Sequence, residues 1–236
     1  MCGRFVVAKE VGGITELFEL DEVPKDYKPI SYNIAPTQEI GMIVEREIEG
    51  VPSRELHLAR WGLIPHWSKE LPSAPLFNAR SESALEKPSF KDAALRKRCA
   101  IPASGYFEWQ GEAGSKKPFY IHPAEGMLAF AGIYSWWRDP SKDQSDPARW
   151  LLTCSILTKA ASPALSEIHD RSPILLSPEN LGSWLAPDYQ TSSELVQALG
   201  QESDELAASL EFYEVSGAVG SVSNNNSNLI ERVYFN

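Results

Sequence analysis

The sequence lacks the features that would place the protein in a membrane or in the secretory pathway. It contains no apolar run approaching the ~20 residues that a membrane-spanning helix requires. Its N-terminus, MCGRFVVAKE, has no basic start followed by a long apolar segment and a small-residue cleavage site, as a secretory signal would. We therefore expect a cytoplasmic protein without a membrane partner.

Cysteine is scarce, since the 236 residues include only Cys2, Cys99 and Cys154. An odd number without paired spacing indicates neither a disulfide framework nor a zinc site, and free thiols in a reducing compartment fit best. Cys99 and Cys154 lie in apolar strand patterns that are typical of inert packing residues. We predict no metal site.

Positive charge is also in short supply, because 22 Lys and Arg face 32 Asp and Glu and give a net charge of −10. This balance argues against a polyanionic partner, whose phosphates are bound largely by Lys and Arg. The distribution is uneven, since residues 51–100 hold nine Lys and Arg against five Asp and Glu, which makes this segment +4 and the remainder −14. A solvated helix face explains such a segment more often than a nucleic-acid groove, so charge alone favours the helix face.

The chain shows no internal repeat and no linker, so we expect one domain over residues 1–236. Nine segments have the β-rich or alternating pattern of strands: 4–8, 40–45, 56–63, 99–109, 118–122, 128–136, 150–158, 173–176 and 210–215. Five have helical patterns: 13–20, 81–95 with a break at Pro88, 163–168, 178–185 and 193–199. Long helices do not alternate with the strands. The pattern predicts an α+β fold in which mostly antiparallel β-sheets form a barrel-like core with peripheral helices.

The second residue carries the first chemical signal. A small residue at position 2 normally permits removal of Met1, which would leave Cys2 with a free α-amine beside its thiol. Ordinary pKa values of ~7.7–8.0 for the amine and ~8.5 for the thiol populate both reactive forms near neutral pH. Such an aminothiol condenses with an aldehyde to a Schiff base and then closes a thiazolidine ring intramolecularly. A cysteine without function in a frayed terminus is an equal alternative.

His169 stands in the segment LSEIHDRSPILL, between a predicted short helix and a predicted strand. A single histidine is more often structural than catalytic. Here, however, Asp170 and Arg171 follow it at the junction of two elements, where a histidine can be oriented for proton transfer near neutral pH. Arg171 would suit a phosphate contact.

Glu108 is the one charged residue within the aromatic segment ASGYFEW. It would either face solvent from a hairpin strand or lie buried among aromatic rings, where burial would raise its pKa and make it a candidate acid. In FNARSE, Asn78 and Arg80 are two residues apart and share a face in an extended backbone. Asn78 could then hydrogen-bond a sugar or carbonyl and Arg80 a phosphate, although Asn78 could instead cap the helix that follows.

Two segments that contain proline and aromatic residues adjoin predicted strands, YNIAPT at 32–37 and WGLIPHW at 61–67. If exposed, Trp67 or Pro36 could support a DNA base by stacking, and if buried they would fill the core. We assign Trp61 to the core.

Seven segments, in matching order and spacing over nearly the whole chain, resemble the SOS response-associated peptidase (SRAP) family of abasic-site processing proteins. They are MCGRF, YNIAPT, WGLIPHW, FNARSE, GYFEW, IHDRSPILL and VSGAVGSVSNN. Each motif is weak alone, whereas seven in register are very specific. The resemblance implies one α+β domain that acts in the DNA damage response, binds single-stranded DNA containing abasic sites and needs no cofactor. We expect a monomer, associated with the nucleoid if the source is a bacterium.

The resemblance also implies residue roles. Cys2 would crosslink to the abasic-site aldehyde and Asn78 would hydrogen-bond the opened sugar. Because this crosslink would pass through a Schiff base, we also expect a minor lyase reaction. Glu108 and His169 would shuttle protons during ring opening and closure. The DNA-contacting residues would be Arg4, Arg80 and Arg171 at phosphates and Trp67 near the DNA end, and to these we add Pro36 as a candidate stacking surface from its position in YNIAPT.

Two further functions stay open. Cys2 could attack an amide, with its own amine or His169 as the base, in an N-terminal-nucleophile peptidase or amidase that also removes Met1. The third hypothesis is a module that binds single-stranded or modified DNA without covalent chemistry. An aldehyde would give a stable adduct and an amide a transient acyl-enzyme, whereas the binding module would keep its function in Cys2→Ala.

Overall fold

The computed structural model describes residues 2–112 and 114–234. The strands within these residues are β1 Phe5–Val7, β2 Ser31–Ile34, β3 Glu39–Ile48, β4 Val51–Trp61, β5 Asn78–Arg80, β6 Arg98–Ala103, β7 Gly105–Gln110, β8 Lys117–Pro123, β9 Leu128–Arg138, β10 Trp150–Ala160, β11 Arg171–Pro173 and β12 Leu210–Glu214. The α-helices are α1 Val11–Phe18, α2 Ser81–Ala84, α3 Lys91–Arg96, α4 Pro178–Leu185 and α5 Ser193–Ala208. Short 3₁₀ helices span Pro147–Arg149, Gly217–Gly220 and Ser227–Ile230.

Five strands close into a barrel. The ring runs β10, β4, β3, β6, β9 and back to β10, because β9 and β10 pair from Trp150↔Arg138 to Ile156↔Gly132. Neighbours in the ring are antiparallel except β4 and β10, which run parallel. A closed ring leaves no free strand edge among its members. The predicted α+β fold, with a barrel-like core of mostly antiparallel strands and peripheral helices, is confirmed.

The β3–β4 hairpin owes its tight turn to two residues. Glu49 and Gly50 connect the strands and have positive φ angles of 52° and 81°. Positive φ at both central positions is typical of the type I′ turn, whose twist matches that of the flanking strands. Glycine at the second position adopts this conformation without steric cost.

A second, antiparallel sheet has the strand order β12, β8, β7, β1, β2. Its strand β1 carries Phe5, whose ring packs edge-to-face on Trp61 and Phe130 at centroid distances of 5.1 and 6.0 Å. Trp61 is fully buried, which confirms its assignment to the core. Through Phe5, the N-terminal segment joins the packed interior of the barrel.

The sequence pattern merged two strands that the structure separates. The predicted strand 99–109 is β6 in the barrel followed by β7 in the second sheet, and the chain changes sheets at Ser104. The Ser104 N–H donates to the Val6 carbonyl at 2.7 Å, and its hydroxyl accepts from the Ala8 N–H at 2.8 Å. The change of sheet is invisible in the pattern because both strands are largely buried.

Several shorter elements also differ from prediction. Strands β2 and β5 were not predicted, and β11 begins at Arg171 rather than 173. The segment 163–168 forms turns rather than a helix, with Leu165 N–H bonded to the Ser162 carbonyl and Ile168 N–H to the Leu165 carbonyl, both at 3.0 Å. These bonds join residues three apart, which a continuous α-helix does not do. Helix α5 continues past the predicted end at 199 to Ala208.

Two arginines of the basic segment 51–100, Arg54 and Arg98, stabilise the fold through internal contacts instead of lying on a solvent-exposed helix face. Arg98 is 4% exposed and donates through Nε to the Trp184 carbonyl at 2.6 Å. Arg54 lies on β4 and pairs with Glu45 at 3.1 Å. For these two residues the helix-face interpretation is wrong, because both stand on strands and use their charge internally.

Cys99 and Cys154 are fully buried. Burial raises the pKa of both thiols, that of Cys154 to about 12. Their predicted role as packing residues is confirmed. Within residues 2–112 and 114–234, no helix is long and apolar enough to cross a membrane.

Candidate active site

The second half of β10 aligns two short strands that carry three of the sequence-predicted residues. β5 pairs with β10 in parallel and places Asn78 opposite Ile156, with Arg80 two residues further on. β11 pairs antiparallel with β10 and places Arg171 opposite Ala160. The register of β10 therefore brings together side chains that are about 90 positions apart in the chain.

Cys2 lies between the second sheet and β5, and it is fully buried. The chain before β1 continues alongside β7, because the Phe107 N–H donates to the Arg4 carbonyl at 2.9 Å. Asn78 Nδ2 donates to the Cys2 carbonyl at 2.8 Å. The structure thus joins Asn78 and Cys2 directly, and the amide of Asn78 holds the N-terminal segment rather than capping α2.

Glu108 is buried on β7, only 2% exposed. Burial raises its pKa to about 7, so this carboxyl can both donate and accept a proton under physiological conditions. Burial also raises the pKa of the Cys2 thiol well above its ordinary value, and the negative charge of Glu108 acts in the same direction. Of the two alternatives that the sequence left open for Glu108, the structure shows burial and excludes a solvent-facing position.

His169 faces Glu108 from the turns that follow β10, with 3.9 Å between His169 Nε2 and Glu108 Oε2. Gln110 of β7 donates through Nε2 to the Glu167 carbonyl at 2.9 Å, which ties these turns to the strand that carries Glu108. The Arg171 N–H donates to His169 Nδ1 at 3.0 Å. This hydrogen bond favours the neutral tautomer that carries its proton on Nε2, the nitrogen directed at Glu108, whereas Asp170 Oδ1, 2.8 Å from Nδ1, favours a proton on Nδ1.

The charge state of His169 follows from opposing effects. Burial lowers its pKa, and the positive charges of the N-terminal amine and Lys116 act in the same direction, whereas the Asp170 carboxylate, 2.8 Å from Nδ1, raises it. Burial prevails and the pKa lies below its ordinary value, so the ring is neutral at neutral pH. A neutral imidazole beside a carboxyl that titrates near pH 7 can exchange protons with it.

Two buried polar atoms at the site, Asn78 Oδ1 and the Tyr106 hydroxyl, have no hydrogen-bond partner among the residues that the structure describes. Leaving such a group unsatisfied costs ~1–3 kcal/mol, which marks the position as one that a ligand can complete. Tyr106 is fully buried, and the charges of Cys2 and Glu108 add to burial in raising its pKa. Sequence reasoning missed Tyr106, although it lies two residues before Glu108 and so shares its face of β7.

The arginines predicted to bind phosphate lie in different environments. Arg171 forms a bidentate ion pair with Glu82, with Nη1 to Oε1 at 2.6 Å and Nη2 to Oε2 at 2.9 Å. Arg80 is exposed and forms no ion pair with any residue of the described ranges. Arg80 is therefore the more available of the two to an external anion.

Arg4 and Asn33 hold the C-terminal polar segment. Arg4 Nη1 donates to Asn33 Oδ1 at 2.8 Å and to the Val219 carbonyl at 2.7 Å. Asn33 is buried, and its Nδ2 donates to the carbonyls of Val219, Ser221 and Asn224 at 3.2, 2.9 and 2.8 Å. Sequence reasoning missed Asn33, whose signal was a polar residue inside the apolar part of YNIAPT.

Trp67 and Pro36 occupy loops. Trp67 is 54% exposed in the connection between β4 and β5, so its ring face is available for stacking. Pro36 is half-buried after β2, next to Thr37, whose N–H donates to the Trp61 carbonyl at 2.7 Å. In the described part of the chain, no group of three or more His, Cys, Asp or Glu side chains is arranged to hold a metal ion.

Comparison with known proteins adds an independent line of argument. A family model described as SOS response associated peptidase (SRAP) matches residues 1–222. The chain is 40% identical to the abasic site processing protein YoqW of Bacillus subtilis (strain 168), over 98% of this chain and 99% of that protein. It is 33% identical to the abasic site processing protein YedK of Escherichia coli (strain K12), over 99% of this chain and 100% of that protein. A crystal structure of a Bacteroides thetaiotaomicron protein, 24% identical, covers 99% of this chain and 100% of its own with a TM-score of 0.77, which supports the fold.

Proposed function

This chain belongs to the SOS response-associated peptidase (SRAP) family, and we propose that it processes abasic sites in single-stranded DNA by covalent capture through Cys2. YoqW and YedK are named abasic site processing proteins and match it over nearly its whole length. The observation that carries the proposal is the set of groups around Cys2. Asn78 holds its carbonyl at 2.8 Å, and Glu108 and His169 lie 3.9 Å apart beside it.

The first step joins the Cys2 nitrogen to the abasic sugar. Removal of Met1 frees the α-amine, and the deoxyribose opens to its aldehyde as the C1′ hydroxyl proton is lost and the ring oxygen gains one. The amine adds to C1′, and the carbinolamine loses water to give an iminium. Glu108 donates a proton to the leaving hydroxyl, because a pKa of about 7 keeps that proton available at neutral pH.

The second step closes the ring. The Cys2 sulfur adds to C1′ and its proton passes to the Glu108 carboxylate that the first step produced. Since burial raises the pKa of the thiol, the proton has to be removed as the sulfur attacks, and a buried carboxylate is suited to this. Neutral His169 exchanges protons with Glu108 during both steps. The net reaction converts aldehyde and aminothiol into a thiazolidine and one water, without oxidant, metal or organic cofactor.

Recognition of the sugar and the DNA falls to the remaining residues. Asn78 Oδ1, which has no partner among the described residues, accepts a hydrogen bond from a hydroxyl of the opened sugar. Arg80 and Arg4 supply the two effective phosphate contacts, whereas the charge of Arg171 is neutralised by its ion pair with Glu82. Trp67 and Pro36 support bases by stacking. Noncovalent affinity is weak on a chain of net charge −10, so the covalent bond supplies persistence.

Residues 1–236 act, in this proposal, as one domain and as a monomer in the cytoplasm, at the nucleoid if the source is a bacterium. Support for one domain comes from the packing of Cys2 and Phe5 in the same hydrophobic cluster as Trp61 of the barrel. The same Cys2, Glu108 and His169 would serve attack on an amide, which includes removal of Met1. Because the iminium is a Schiff base, minor β-elimination accompanies crosslinking as a lyase activity.

Intact mass spectrometry after mixing with a single-stranded oligonucleotide that carries one abasic site tests the proposal. We expect loss of Met1 and a heat-stable one-to-one adduct, heavier by the oligonucleotide minus one water. Cys2→Ala should form no adduct, whereas Cys154→Ala, which removes a buried thiol elsewhere, should form it. An oligonucleotide with a tetrahydrofuran abasic analogue, which cannot open to an aldehyde, should give none.

A free N-terminus without any adduct would contradict the proposal. Hydrolysis of amide substrates by the same preparation, lost in Cys2→Ala, would then favour the peptidase. Adduct-free binding of abasic DNA that persists in Cys2→Ala would favour the noncovalent binding module.

A further inference from the structure

Glu82 on α2 and Arg171 at the start of β11 form an ion pair that the chemistry above does not use. Both carboxylate oxygens accept from the guanidinium, at 2.6 and 2.9 Å, and Nη2 also donates to the Thr158 carbonyl of β10 at 2.7 Å. The hydrogen bond from Arg171 keeps the pKa of Glu82 below its ordinary value, so the carboxylate is charged. A bidentate arginine–carboxylate pair fixes orientation as well as distance.

The same arginine also contacts the candidate proton carrier through its backbone. Its N–H donates to His169 Nδ1 at 3.0 Å. Its side chain is 12% exposed, whereas that of Glu82 is 53% exposed. Arg171 therefore links two residues, because its guanidinium binds the Glu82 carboxylate and its backbone N–H binds the His169 imidazole.

We propose that Glu82 is a positioning residue for His169. Its ion pair fixes Arg171 at the first position of β11, so that the Arg171 N–H occupies Nδ1 and directs Nε2 at Glu108. This inference rests on the proposed function, in which His169 and Glu108 exchange protons. It adds a residue outside the reacting groups that controls which tautomer of His169 is present.

The consequence of losing the ion pair follows from the charged groups that face the ring. These are Glu108 from β7, the N-terminal amine, Asp170 and Arg171 from its own segment, and Lys116 from the chain before β8. Asp170 Oδ1 already lies 2.8 Å from Nδ1. If the Arg171 N–H withdraws, Nδ1 is free to take a proton and donate it to Asp170, which favours the charged ring. A charged His169 cannot accept a proton from Glu108.

Nitrogen NMR of the histidine rings tests this without reference to activity. The chain has 4 histidines, so ¹⁵N-histidine labelling gives a simple spectrum, and His169→Gln assigns the signal. We expect the wild type to show a neutral Nε2-protonated ring at pH 7, and Glu82→Gln to raise the titration midpoint of His169. Glu86→Gln, at an exposed carboxylate four residues later, should leave the signal unchanged.

Single-turnover crosslinking at saturating oligonucleotide provides the second test. General acid–base groups contribute ~10²–10⁴-fold, so we expect Glu82→Gln to slow crosslinking roughly tenfold and to move its pH profile, with an intermediate rate for Glu82→Asp. Equal rates and equal pH profiles in wild type and Glu82→Gln would overturn the inference. If Glu82→Gln also bound DNA more tightly than wild type, Glu82 would instead be a competitor of DNA phosphate for Arg171. A wild type that forms no adduct would sink the proposed function, while the NMR comparison would still decide the role of Glu82.

Discussion

At the scale of the residue, burial of Glu108 gives the protein a specific dependence of stability on pH. The folded-state pKa is about 7, above the ~4.3 of an unfolded chain, so the folded protein binds the extra proton between these values. Stability from this group is therefore present at low pH and lost as pH rises towards and through 7. We expect Glu108→Gln to gain about 3 kcal/mol of unfolding free energy relative to wild type between pH 5 and pH 8.

Urea unfolding of both proteins at the two pH values measures this difference. Glu112→Gln, at an exposed glutamate just past β7, is the matched control and should show no such change. If the difference between wild type and Glu108→Gln were the same at pH 5 and pH 8, the carboxyl would not titrate in that range. The proton donor proposed for the first chemical step would then be wrong.

At the scale of the element, β7 depends on a residue without a side chain at its first position. A Cβ on Gly105 would lie 2.6 Å from the Tyr120 ring of the neighbouring strand β8, and that ring is buried. Gly105→Ala should therefore destabilise the fold by ~1–3 kcal/mol, since the ring has little room to move. Gly217→Ala is the control, because nothing lies within 4 Å of its added Cβ. Equal unfolding midpoints for the two variants would contradict this packing.

The elements themselves were predictable to different degrees for a physical reason. Long strands such as β9 and β10, and the capped helix α4 with Ser177 before Pro178, carry their own pattern and were placed correctly. β5 and β11 have three residues each and depend on pairing with β10, so the sequence pattern did not predict β5 and placed the strand of β11 two residues late, at 173. These are the strands that carry Asn78, Arg80 and Arg171. Local sequence therefore says least about the elements that build the site.

At the scale of the whole molecule, the site is assembled from both sheets and from distant parts of the chain. The motif order identified Cys2, Asn78, Glu108 and His169, and the structure brings these four together. The partners that hold them could not be predicted, because they depend on long-range pairing. Tyr106 joins the site through the register of β1 with β7. Asn33 joins it through its hydrogen bonds to the C-terminal segment, and Glu82 joins it because α2 lies beside β11.

The charge balance of the site predicts a shallow dependence of DNA binding on salt. Arg171 is neutralised by Glu82, Arg4 is held by neutral acceptors and keeps its charge, and Arg80 has no ion pair within the described ranges. Two effective phosphate contacts give a log–log slope of about −1.4 for single-stranded DNA, or about sevenfold weaker binding between 50 and 200 mM salt.

Fluorescence anisotropy with Cys2→Ala, which lacks the thiol needed for the proposed thiazolidine, and with an oligonucleotide without an abasic aldehyde isolates this noncovalent binding. Arg80→Ala should halve the slope to about −0.7, because it removes one of the two contacts. Lys142→Ala should leave it unchanged, since Lys142 lies between β9 and β10, at the opposite end of β10 from β5. A slope steeper than about −3 would show that further cations contact the DNA. Noncovalent contacts alone could then keep the DNA bound to this acidic protein, and the covalent bond would not be needed to explain a persistent complex.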